Sequence, residues 1–201
     1  MNFNPTERQG DKKTPLIHSV YDFVELFVIA ICIVFVIFTF AVRLCRVNGP
    51  SMENTLYDGE MLLISDLFYE PEQGDIVVFH PTSETNDRYN ELIVKRVIAS
   101  EGQFVKVVRD GVYVSDDDTF EADERLDEST YAYMDIGYML NYYNAFEKIF
   151  EVPENCLFVL GDNRNHSADS RDPEISFVDT RRIVGKVILR LTPFDRFGAV
   201  N

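Results

Sequence analysis

Between Phe23 and Val42 the chain reads FVELFVIAICIVFVIFTFAV, twenty residues in which Glu25 is the only charge. Nothing else in the sequence narrows the possible architectures so far. A helix rises about 1.5 Å per residue, so a run of this length spans roughly 30 Å, the thickness of bilayer hydrocarbon. A soluble core helix needs a polar face, and none exists between Leu26 and Ala41. A cleavable leader has a shorter apolar core followed by small residues, whereas Arg43 and Arg46 follow this one. The run therefore reads as a transmembrane helix over residues 21–43, preceded by a polar, loosely ordered tail at 1–20. Arg8, Lys12 and Lys13 on one side nearly balance Arg43 and Arg46 on the other, so positive charge does not orient the span.

Beyond the span, short runs rich in branched residues alternate with turn signals. Glu60–Ser65, Asp75–Phe79, Leu92–Ala99, Phe104–Val108, Val112–Val114, Cys156–Leu160 and Ile183–Leu191 read as strands. Pro71, Gly74, Pro81 and Gly102 separate several of them, and Asp110-Gly111 between two apolar runs is a hairpin signal. The expected fold is mostly β: an antiparallel, barrel-like sheet domain over residues 44–201. Residues 116–154 stand apart as an acidic and then tyrosine-rich insertion, expected to fold back as a cap with a short helix from Met139 to Phe150.

The formal charge of −15 excludes the basic face that a nucleic-acid partner requires. Cys32, Cys45 and Cys156 have neither the number nor the spacing of a disulfide framework or a zinc site. No metal ion or other cofactor is implied. Candidate chemistry has to be sought in context. Ser51 follows Gly49-Pro50 in a turn nine residues past Val42, where backbone N–H groups can surround a hydroxyl. A serine needs a base. His18 lies on the other side of the span; His80 and His166 stay open on sequence alone. Lys95 is the other candidate: in Leu92–Ile98 it shares a face with Ile93 and Val97. Burial there would disfavour its ammonium form and leave an amine able to take a proton. Taken singly, the serine reads first as a turn residue, and the lysine first as a side chain snorkelling from an edge strand.

Taken together, four segments in order behind the span resemble the type I signal peptidases, membrane-bound Ser/Lys proteases that remove signal peptides from exported proteins. Gly49-Pro50-Ser51-Met52-Glu53-Asn54-Thr55-Leu56 is similar to the family's nucleophile motif except for Asn54, which stands where the motif has proline. Gly74–Phe79, Lys95–Ile98 and the box Gly161–Arg171 resemble the other three family segments. The resemblance implies Ser51 as nucleophile and Lys95 as general base. It further implies that Ser167 orients the lysine amine and that an Asp169–Arg171 ion pair braces the loop carrying Ser167. Around the substrate it places Val47, Gly49, Met52, Leu56, Leu92, Ile93 and Val94, with the main-chain edge at Leu92–Val94 taking the peptide as an added strand. Cleavage after small residues of the Ala-x-Ala type, a cytoplasmic N-terminus and an extracytoplasmic catalytic domain follow from the same likeness. So do signal peptides, the lipid bilayer and the neighbourhood of the secretion translocon as partners.

The chain also departs from the family pattern. Gly49 stands where some members carry a serine that completes the oxyanion hole, leaving that task to backbone N–H, mainly that of Ser51. Asn54 is expected to loosen its turn without removing a catalytic atom. Lys95, where microsomal relatives have histidine, points to the bacterial type, and the single span to its Gram-positive form. A self-cleaving repressor-type protease would need a DNA-binding segment. A non-catalytic homologue would lack the lysine, and a tethered binding module would use Ser51 only as a turn residue.

Overall fold

A computed structural model describes residues 14–81, 91–108, 111–121, 124–133 and 148–200, which divide between one unit ending at Ala41 and another running over Val42–Asn201. The tail at 1–13 lies outside the described residues. The first unit contains helix α1, Thr14–Phe40. It begins and ends earlier than the expected 21–43. Pro15 in its first turn suits a position whose N–H has no helical partner. At the other end Arg43 already belongs to strand β1 (Arg43–Arg46), whose ladder with the next strand takes over the backbone. Between Ser19 and Val36 no residue of α1 is buried, so the apolar surface is presented all round, as a helix solvated by lipid requires.

The second unit is built of antiparallel strands: β2 (Met61–Ser65), β3 (Ile76–Phe79), β4 (Ile93–Ser100), β5 (Phe104–Val108), β6 (Gly111–Ser115), β7 (Ile149–Glu151), β8 (Cys156–Leu160), β9 (Val178–Asp179), β10 (Ile183–Thr192) and β11 (Gly198–Ala199). Among the described residues the larger sheet runs β1-β2-β10-β3-β4-β8-β9, with β11 on β10; a smaller one runs β6-β5-β7. Each strand read from the sequence is present, with ends shifted by a residue or so. The helix expected over Met139–Phe150 is not fully testable, because 134–147 lie outside the described residues. Its end is overturned: Ile149 and Phe150 are in β7, where Val105 pairs with Phe150 and the phenyl ring packs on Phe158.

Burial explains why the sheets hold. The smaller sheet closes over β4 and β8 through Ile98, Val105, Val107, Val112, Phe150 and Phe158. On β1–β3 and the start of β4, Val47, Met52, Leu56, Leu62, Ile64, Val78 and Val94 form a second cluster. A third, on the other face, gathers Val77, Phe79, Val97, Leu157, Val159 and Ile175. Each such side chain removed from water contributes about 1.5–3 kcal/mol. β4 lies at the junction of all three clusters, which is why Lys95 and Arg96 within it are almost fully buried.

One edge of β4 is incomplete. β3 pairs with Ile93, Val94, Lys95 and Arg96, but on the opposite side β8 begins only at Arg96. Ile93–Lys95 therefore offer backbone groups that no β8 residue takes up.

Candidate active site

The turn that carries Ser51 is set from both ends. Gly49 has φ +89, a conformation open to glycine, and its N–H donates to Asp58 Oδ1 at 2.8 Å. Pro50 O accepts from Glu53 N at 3.1 Å, and Met52 O from Leu56 N at 2.7 Å. Met52 and Leu56 are buried, so the turn is fastened to the core while Ser51 faces outward. Asn54 sits at φ +88. Proline, held near −65°, cannot adopt that value. The asparagine therefore does not loosen a proline turn; it makes a different one, and its Nδ2 reaches Tyr131 O at 3.4 Å.

Lys95 extends from β4 to this turn. Its Nζ donates to Ser51 Oγ at 2.8 Å and to Val94 O at 2.8 Å. Burial drives its pKa down from 10.5 to about 8; Asp169 and Asp162 work against that fall and Arg171 with it. Ser51 Oγ has its side-chain partner in this amine rather than in a histidine. His80 and His166 are both exposed, and neither is bonded to Ser51.

The box loop after β8 supplies the surroundings. Arg171 grips Asp169 through Nε at 2.7 Å and Nη2 at 2.8 Å, a buried bidentate pair. Burial acts to raise the Asp169 carboxyl, but Arg171 and the donors Gly161 N and Ser167 Oγ outweigh it and hold the carboxyl below its ordinary range. Ser167 Oγ donates to Asp169 Oδ2 at 2.7 Å, while the lysine amine rests on Ser51 and Val94. The hydroxyl expected to orient the lysine thus gives its one proton to Asp169, and its oxygen keeps lone pairs that can accept. Gly161 makes this packing possible: a Cβ there would stand 2.2 Å from Ser167 Oγ and 2.5 Å from Ser51 O.

Beneath the turn, Arg96 pairs with Asp162 through Nε at 2.9 Å and Nη2 at 2.8 Å, and Thr55 Oγ1 donates to the same carboxylate. Tyr131 covers the guanidinium at 4.1 Å. Its phenol is pushed up to about 12, by burial first and by Glu128 next. Glu128 in turn meets both terminal nitrogens of the fully buried Arg164. Residues 128–133, part of the insertion expected to fold back as a cap, are bound to the box: Tyr133 N donates to Asp162 O at 2.8 Å, and Arg164 N to Tyr133 O at 2.9 Å. No sequence signal tied Glu128 to Arg164, because nothing in the spacing distinguishes it from the acids before it.

A groove of about 190 Å³ opens beside Ser51 and Lys95, lined on one side by Val47, Asn48 and Met52 and on the other by Glu91, Leu92, Ile93 and Val94. Ala168 closes it. Asn48 Nδ2 and Glu91 Oε2 join its two walls at 2.8 Å. Leu56 is not a wall: it is wholly buried, because the turn points it into the core beneath. Gly49 is also outside the lining. Asn48, Glu91 and Ala168 were not among the substrate-contacting residues that the resemblance implied.

A serine hydroxyl on a tight turn, met by a buried lysine amine, is an arrangement that suits a serine hydrolase. The chain belongs to the signal peptidase family, peptidase S26, whose family model matches residues 20–192. Signal peptidase IB of Staphylococcus aureus is 34% identical, with 84% of this chain and 87% of that protein aligned. A probable signal peptidase I-2 from Synechocystis is 29% identical over 97% of this chain and 84% of its own length. A solved signal peptidase I from Enterococcus faecalis, 24% identical, aligns with 59% of this chain and 97% of its own at a TM-score of 0.39.

Proposed function

We propose that this signal peptidase cuts signal peptides from exported preproteins with Ser51 as nucleophile and Lys95 as general base. The observation that carries the reading is the 2.8 Å contact between Lys95 Nζ and Ser51 Oγ at the floor of the groove. Neutral Lys95 takes the proton as Ser51 Oγ attacks the scissile carbonyl carbon. The oxyanion that forms is met by the Ser51 N–H, which donates to nothing among the described residues. The resulting ammonium passes its proton to the departing amine, leaving the signal peptide as an ester on Ser51. Water, deprotonated by the same amine, then releases it. Val94 O keeps the amine in place through both steps. A base with a pKa of about 8 is substantially neutral at mildly alkaline pH, where an ordinary lysine would be almost wholly charged.

The peptide lies along Ile93–Lys95 as an extra strand, its alternate side chains turned into the groove beside Val47, Met52 and Val94. So small a cavity favours small residues before the cut, in the Ala-x-Ala manner. α1 holds the enzyme in the bilayer with its N-terminus cytoplasmic and residues 44–201 outside, and the short link to Ser51 keeps the chemistry near the surface where preproteins emerge from a translocon. Ser167, Asp169 and Arg171 brace the dyad. The test is incubation with a preprotein bearing an Ala-x-Ala site, followed by sequencing of the new N-terminus. Ser51→Ala and Lys95→Ala are each expected to abolish the cut while the fold persists; full activity in either sinks the dyad. An acid limb of activity removed by His80→Ala or His166→Ala would transfer the base to histidine.

A further inference from the structure

Asn163 holds the nucleophile turn in a way that bears on the oxyanion rather than on the hydroxyl. It is almost fully buried, and its Nδ2 donates to Pro50 O at 3.2 Å and to Glu53 Oε2 at 3.3 Å. Both partners are acceptors only, which fixes the amide with its nitrogen toward the turn. Its backbone N–H separately reaches Ser51 O at 3.1 Å. Pro50 O and Ser51 N–H are the two ends of one planar peptide unit. That carbonyl receives two hydrogen bonds, from Asn163 Nδ2 and from Glu53 N at 3.1 Å, whereas the N–H at the other end donates to nothing among the described residues. Hydrogen bonds in series polarise one another, so donation into the carbonyl strengthens the N–H opposite as a donor. It also fixes the plane in which that N–H points.

From this geometry we infer that Asn163 is a positioning residue for transition-state stabilisation: it orients and polarises the Pro50–Ser51 peptide whose N–H receives the oxyanion. The inference rests on the proposed Ser51 chemistry. It matters more here than it would with a second donor, because Gly49 supplies no hydroxyl to share the charge. The Asn163 N–H to Ser51 O bond belongs to the backbone and survives any side-chain change, so the turn stays docked when the carboxamide is removed.

Loss of an oxyanion donor costs about 10²–10³ in kcat; weakening one should cost about 10–100-fold. The full-length enzyme in detergent is assayed with a peptide substrate, with the matching peptide aldehyde, whose Ser51 adduct puts an oxygen in the hole, and with the corresponding peptide amide as a ground-state ligand. Asn163→Ala is expected to lower kcat and aldehyde affinity by the same factor, with KM and amide affinity within about twofold of wild type. Asn163→Asp keeps the shape but sets a third acceptor against Pro50 O and Glu53, and is expected to be slower than Asn163→Ala. Unchanged kcat, a parallel loss of amide affinity, an aspartate variant as fast as wild type, or loss of the fold in both variants would each overturn the inference. Residual cleavage by Ser51→Ala would instead remove the reading beneath it, so the two failures are distinguishable.

Discussion

The substitution Lys95→Met should remove a pH-dependent instability together with the activity. The amine is buried, and its proton affinity falls from the ordinary 10.5 to about 8. Each tenfold in proton affinity corresponds to about 1.4 kcal/mol, so keeping the ammonium out of water costs the folded state roughly 3 kcal/mol. The sign follows from proton counts. Below pH 8 the lysine is charged both folded and unfolded, and the cost is present in full. Between 8 and 10.5 the unfolded chain binds the extra proton, so stability climbs with pH; above 10.5 the cost is gone. A thioether at this position never titrates. The lost hydrogen bonds to Ser51 and Val94, about 1 kcal/mol each, shift the variant's stability by a pH-independent amount. Urea unfolding of both full-length proteins in detergent, followed by far-UV circular dichroism from pH 6.5 to 10.5, isolates the difference. Wild type should gain roughly 3 kcal/mol on the variant across that range, while wild-type kcat/KM rises through the same midpoint near pH 8. Parallel stability curves would refute the claim that desolvation sets the lysine's proton affinity.

Two further outcomes test the surroundings. Asn54→Pro should destabilise the fold on the order of 1–3 kcal/mol, since φ +88 is closed to proline, while Asn54→Gly stays near wild type; thermal unfolding of the pair decides it. Glu128→Ala should cost about 3–5 kcal/mol by stranding the buried Arg164 guanidinium, and Glu128→Gln less, as read by urea midpoints.

Much of the architecture could be read from residues whose local and tertiary demands agree. Val, Ile and Phe runs bounded by Gly and Pro became strands because each had a core cluster to enter. Arg43-Leu44-Cys45-Arg46 went unread as a strand since its pattern is short and charged; only pairing with Leu62 and Ile64 makes it one. Ile149–Glu151 hid in a tyrosine-rich context and depends on Val105 for its register. At the site, the serine turn and the lysine strand were each visible, yet their contact depends on Asn163 and Gly161, which bring a third segment against Ser51 O. Leu56 and Glu91 exchanged roles for the same reason. Hydrophobicity says that a side chain is wanted inside, whereas the path of the turn decides what is left to line a groove.

On the β8 side, among the described residues, the edge of β4 left without a partner strand is only Ile93–Lys95, three residues long. A guest strand there gains a few backbone hydrogen bonds at about 1 kcal/mol each, against roughly 1–2 kcal/mol for ordering each of its residues. Such an edge is a poor trap for loose peptides and too short to recruit a neighbouring sheet. If substrate adds there as proposed, its occupancy depends on arriving already confined and extended, and an edge this short neither scavenges loose peptides nor seeds aggregation.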